Sequence, residues 1–376
     1  MHRPSRAISG HRLFFAAASL YAALAVPLWV AGYAGILPMG WSPAIHAHEM
    51  IAGYALAVVG GFLMTRLTPV TLAATFLAWL AGRAVMLAGA PAVIALPVSL
   101  AYPILLFVIA GLPFLRASKS GHNAVFGPLI GAFILAEGLF WAAELGLLAP
   151  RPMPVGLLLV ASLMLAMGGR VIPAATAGAL RAQGGLLVQR VQPRIELVGG
   201  IGAAVALLSA VTGMLPLSGA AGALLAGASA LARLARWRTM AVLQLPDLWS
   251  LHLGYLLLGF GWILAGVTML PGWGDAAGWH LLAIAAMGII IAVMMIRTTL
   301  QREAEPTRLP PAGVAAVVLL LVAALLRLAA GWLDPLDAMA GAAAAWTLAH
   351  LLVVGVLLSV PRRARRQARR KPEPET

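Results

Sequence analysis

Apolar residues run along this chain in long blocks, each closed by a short break rich in glycine, proline or charge. The blocks fall at about 13–37, 46–65, 67–89, 92–115, 124–148 and 153–174, then at about 195–216, 219–235, 250–270, 278–296, 311–331 and 337–360. Each is near the ~20 residues that a helix needs to cross a bilayer. The pattern predicts an all-α, polytopic integral membrane protein of about twelve transmembrane helices, with the least distinct division at Arg66 to Pro69. The first block exceeds the ~7–15-residue apolar core of a signal peptide and is expected to remain as a span. Three regions follow: a basic N-terminus at 1–12, a single transmembrane domain at 13–360, and a polybasic tail at 361–376 that is disordered by composition.

Charge gives the spans a direction. Alternate breaks are basic, holding Arg66; Arg116 and Lys119; Arg181, Arg190 and Arg194; Arg233, Arg236 and Arg238; Arg297, Arg302 and Arg308; the tail adds more. The intervening breaks carry Arg151 as their single basic residue and Asp275, Asp334 and Asp337 as acids. By the positive-inside rule both termini are cytoplasmic, in a bacterial-type inner membrane. Composition agrees: 62% of the 376 residues are apolar and 10% charged, against roughly 45–50% and ~25% in a soluble domain. The net charge of +14 belongs to topology and an anionic leaflet rather than to nucleic acid. Cysteine is absent, which excludes disulfides, thiolate metal sites and thiol catalysis. No break is long enough for an extramembrane catalytic domain, so any chemistry lies between the helices.

Ionisable groups within spans are costly, and each marks a functional hypothesis. The second span opens outside with His46, His48 and Glu49 in WSPAIHAHEM. Residues two apart on a helix point about 200° apart, so His46 and His48 face one metal only if the segment before Met50 is not helical. The run suits copper or zinc, or one axial ligand of a haem; it also suits a polar interfacial cap. His280 enters span ten at the same depth, and Met287 and Met294 follow it along one face, where methionine serves equally as packing. Arg83, Arg327 and Glu144 complete this outer layer, with the arginines either binding an anion or a haem propionate, or snorkelling or pairing with Glu144. Deeper lie Glu137, which with Glu144 marks a candidate proton path, and His350, a buried ligand or a hydrogen-bonded structural residue.

Several motifs occur in order: HAHEM at 46, GHNAVF at 121, GGRVIPAATAGAL at 168, LHLGYLLLG at 251 and HLLAIAAMG at 280, with Met294, Met295 and Arg297 following. Together they resemble the NnrS family of membrane proteins, whose corresponding last run is HALTVGAMG. The resemblance covers the chain from the first span to the tenth. It implies a haem- and copper-containing inner-membrane protein tied to nitric oxide metabolism, nitrosative stress and denitrification, with His46, His48 and His280 as the favoured metal ligands and His350 as a fourth candidate. Two departures stand out: an aromatic pair of the family is Ala174 and Ala175 here, and a glycine–histidine pair after span ten is Gln301 and Arg302. An inner-side histidine site of relatives is therefore expected to be missing.

Three functions compete on this reading. The leading one is a haem- or copper-binding protein that handles nitric oxide or another small ligand. The second is a secondary transporter for a small anion, with Arg83, Arg327 and Glu137 along its path. The third is a membrane assembly or metal-delivery factor.

Overall fold

The computed structural model describes residues 9–116, 125–148, 154–214, 216–273, 276–303 and 305–361. GHN at 121–123, Lys119, Arg151, Asp275 and the polybasic tail lie outside them. Twelve helices follow the apolar blocks. They are α1 (His11–Tyr33), α2 (43–63), α3 (Pro69–Leu87), α4 (Ala92–Arg116), α5 (Phe126–Glu144), α6 (Pro154–Ala182), α7 (Pro193–Thr212), α8 (Pro216–Leu234), α9 (Pro246–Thr268), α10 (276–302), α11 (Pro311–Ala329) and α12 (Pro335–Ser359).

Eleven of these are long and apolar enough to cross a membrane. The other, α2, is built in three pieces: α-helical at Pro43–His48, π-helical at Glu49–Ala55 and α-helical again at Leu56–Leu63. It nonetheless traverses the same thickness as α1. Its far end, Met64, accepts a hydrogen bond from the Gly10 amide at 3.0 Å, beside the start of α1. The twelfth crossing expected from the apolar pattern is therefore this composite helix. It begins at a proline because Ser42 caps it, accepting from the Ile45 amide at 3.2 Å, and Pro43 tolerates the first helical turn.

Helices adjacent in sequence pack side by side, and α12 closes the arrangement against α1. The most deeply buried helix, α6, touches α2, α5, α7, α9 and α10. The exterior is apolar: Leu24, Leu77, Leu208 and Leu325 are each at least 60% exposed, the reverse of a water-soluble surface. With such a surface the chain is a multi-pass membrane protein. Both described ends meet on one face, where Arg12 donates to the Val360 carbonyl at 2.8 Å and to Glu303 at 2.8 Å. We call this the first face and the other the opposite face.

Small residues set the helix spacing. A Cβ on Gly222 of α8 would lie 2.6 Å from the Gly202 carbonyl of α7, and one on Gly202 would lie 2.5 Å from the Gly222 carbonyl. The neighbour is backbone in both cases, so it cannot swing aside. Gly222→Val is expected to cost about 1–3 kcal/mol by forcing α7 and α8 apart. An unchanged denaturant midpoint for that variant would contradict the close approach.

Candidate functional site: a histidine chamber and a buried ion network

Two π-helical segments shape the interior. The first, Glu49–Ala55, follows His46 and His48 in α2; the second, Leu281–Gly288, follows His280 in α10. A π-turn widens the helix and re-aims the side chains after it, and such turns recur at functional sites. Both contribute to one wall: Met50, Ile51 and Tyr54 from the first, Ala283, Ile284 and Met287 from the second.

That wall bounds a chamber of about 590 Å³ between α1, α2, α6, α10, α11 and α12. His46, His280 and Arg327 face it, with Trp29, Tyr54, Met339 and Trp346 among its apolar and aromatic lining. The His46 ring stacks on Trp29, centroids 4.3 Å apart. Its Nδ1 is buried and has no hydrogen-bond partner among the described residues. The residue as a whole is only partly buried and forms part of the chamber lining.

His48 is elsewhere. Pro43–His48 is regular helix, so the two histidines point to different sides, and His48 turns away into a buried ion network. Its Nδ1 lies 2.9 Å from Glu49 Oε1, and its Nε2 lies 3.0 Å from both carboxylate oxygens of Glu137. Arg83 of α3 donates to Glu49 Oε1 at 2.5 Å, the Tyr21 hydroxyl of α1 donates to Glu49 Oε2, and Trp141 Nε1 donates to Glu137 at 2.9 Å. Glu49, His48, Arg83 and Glu137 are all buried. A neutral imidazole offers one donor and one acceptor, whereas each nitrogen of His48 meets a carboxylate. One proton beyond that of a neutral imidazole is therefore shared among His48 and the two acids, and with Arg83 the network sums to zero charge. Gly53 makes room for it, since a Cβ there would lie 2.3 Å from the Tyr21 ring.

The remaining sequence candidates separate cleanly. His350 backs the chamber, with Nε2 3.0 Å from the Tyr54 hydroxyl and Nδ1 2.9 Å from the Trp346 carbonyl. Glu144 is exposed at the end of α5, about 10.5 Å along the axis from Glu137 at 1.5 Å per residue. Met294 packs in the core, whereas Met287 reaches the chamber. The residues an anion path would use are divided: Arg327 is on the chamber wall, and Arg83 and Glu137 are in the network. Tyr21 and Tyr54 went unflagged by sequence reasoning because a tyrosine inside an apolar block has no signature of its partner.

The motifs of the first face meet in a second polar cluster. Thr176, from the GGRVIP-containing run, lies 2.8 Å from His252 Nε2, and Thr239 lies 2.8 Å from His252 Nδ1. Arg233 donates to the Gly169 carbonyl at 2.6 Å, to Glu196 at 2.9 Å and to the Tyr255 hydroxyl at 3.1 Å. Both nitrogens of His252 are thus satisfied, as in a structural tie between helices. Arg302, at one of the departures from the family pattern, donates to the Gly61 carbonyl at 3.1 Å and the Phe62 carbonyl at 2.7 Å. It caps the C-terminal end of α2, where a cation is favoured.

These features define a multi-pass helical membrane protein whose helices enclose a two-histidine chamber beside a charge-balanced network. A family model described as NnrS protein matches residues 8–365, and the chain belongs to that family. No curated protein and no solved structure matches it significantly.

Proposed function

We propose that this protein is a haem-binding member of the NnrS family that handles nitric oxide in the inner membrane, with both ends cytoplasmic. One observation carries the reading: His46 and His280 line one chamber with Arg327, and the buried Nδ1 of His46 has no hydrogen-bond partner among the described residues. The chamber volume of about 590 Å³ falls in the ~300–1,000 Å³ range of cofactor sites.

The donor set fits a haem. The imidazoles of His46 and His280 would hold a haem, through a single iron ligand so that one position stays open, and Arg327 would suit an anionic propionate. Among the described residues no group of three or more His, Asp or Glu side chains is arranged to hold a metal ion. Copper, the other metal implied by resemblance, would therefore need the thioethers of Met50 or Met287, which suit its reduced form. Haem iron, when bound, supplies a coordination position for a diatomic ligand such as nitric oxide. The chain's own residues orient it: Trp29 fixes the His46 ring plane, and His350 holds Tyr54 and Trp346 from behind. The orientation of the ends is supported by Arg66, Arg116, Arg181, Arg190, Arg236 and Arg308, which lie at the first face, and by Asp334 and Asp337 at the opposite one.

Purified protein is expected to show a Soret band and to carry stoichiometric iron. A preparation with neither a Soret band nor bound iron or copper removes this reading.

A further inference from the structure

The chamber shares part of its wall with a second cavity on the membrane-facing surface. That outer cavity, about 800 Å³, lies in the seam between α1 and α12, and Val30 and Ala343 line both it and the chamber. Two side chains therefore stand between the lipid-facing groove and the interior. We propose that this seam is a lateral portal, through which a small, uncharged, lipid-soluble ligand enters the chamber directly from the bilayer. The proposal rests on the haem reading above and adds the route and the ligand class.

The seam is built to open at this level. Deeper in the membrane α1 and α12 are clamped, with Trp346 Nε1 donating to the Ala22 carbonyl at 2.9 Å and Thr347 donating to the Ala23 carbonyl at 2.9 Å. One turn further along α1 stands Pro27, which lacks an amide proton and weakens the helix ladder. Facing it, α12 presents Ala340, Ala343 and Ala344, whose short side chains leave the groove unfilled. Apart from Asp337 at the opposite face and Thr347 in the clamp, the groove is lined by apolar residues, with Leu348 and Leu351 each about half exposed. A charged ligand would have to leave its hydration behind to reach this entrance, whereas a diatomic gas already partitions into hydrocarbon. Ser42 and Pro43 mark the competing entrance, because Pro43 lines the chamber where it meets the opposite face and is exposed.

Carbon monoxide rebinding after flash photolysis, measured on the full chain in nanodiscs, tests the route. Val30→Phe and, from the other helix, Ala343→Phe are expected to lower the association rate constant by about tenfold, within the range interface changes produce. Val30→Ala is expected to raise it, which keeps the test decisive if a bulky variant fails to fold. Ser42→Trp, at that entrance but outside the chamber lining, is expected to leave the rate within about twofold of the parent. If Ser42→Trp slows rebinding while the Val30 and Ala343 variants do not change it, ligand enters from the opposite face and the portal is overturned with the haem reading intact. A parent protein without haem removes both.

Discussion

Replacing His48 with leucine is expected to cost about 3–5 kcal/mol of folding stability, and replacing Glu137 with leucine in the same chain is expected to return much of that loss. His48 is the link between two buried carboxylates, bonded to Glu49 through Nδ1 and to Glu137 through Nε2. Without it, Arg83 still neutralises Glu49 at 2.5 Å, but Glu137 is stranded in a site only 5% exposed. An unpaired buried charge is the expensive state; removing both partners leaves only a polar group, Trp141 Nε1, without its acceptor. The double variant should therefore be more stable than His48→Leu alone. Denaturant titration of the four proteins gives the coupling directly. Strictly additive losses would show that the network is not charge-balanced through His48.

This coupling bears on how far function was readable from sequence. The span pattern was legible because apolar blocks and loop charge are local properties, and even α2, broken by a π-turn, shows as one apolar block. The divergence of His46 from His48 was only half legible: the 100° step of a helix implies it, but whether the segment was helical stayed open, and the favoured ligand set kept the two histidines together until the regular helix at Pro43–His48 separated them. The partner of His48 was not legible: Glu137 is 89 residues away, and nothing local distinguishes a carboxylate that meets an imidazole from one that meets water. Glu137 and Glu144 share a face of α5, yet one is buried and the other exposed, because packing at the end of the helix decides it. The π-turns were equally hidden. The apolar period of a segment does not mark them, since Glu49–Ala55 and Leu281–Gly288 lie within apolar blocks like any other.

The same geometry explains why the opposite-face layer of His46, His48, His280, Arg83, Arg327 and Glu144 is not one site. Depth alone groups them; azimuth divides them. His46, His280 and Arg327 look into the chamber, His48 and Arg83 into the network, and Glu144 outward. The two sites are nevertheless joined through α2, whose regular first turns hold the chamber histidine and the network histidine two residues apart. The network thereby anchors the segment that positions His46, through α1, α3 and α5, each of which contributes a partner.

Haem retention separates those roles. His46→Ala is expected to lose the bound haem outright, because it removes the chamber imidazole whose Nδ1 is buried without another partner, and His280→Ala is expected to lose most of it. The two imidazoles would hold one group, so the double variant should be little worse than His46→Ala alone. His48→Leu, by contrast, should lower the yield of folded protein while the haem-to-protein ratio of what folds stays near the parent value. The His48→Leu, Glu137→Leu double variant sharpens the contrast, since it regains stability with its chamber untouched and should therefore regain yield at an unchanged haem-to-protein ratio. Pyridine haemochrome assay of each monodisperse preparation supplies the ratio. A His46→Ala protein that keeps its haem while the charge-balanced double variant loses it would move the ligand from the chamber to the network, and with it the assignment of His46 and His280.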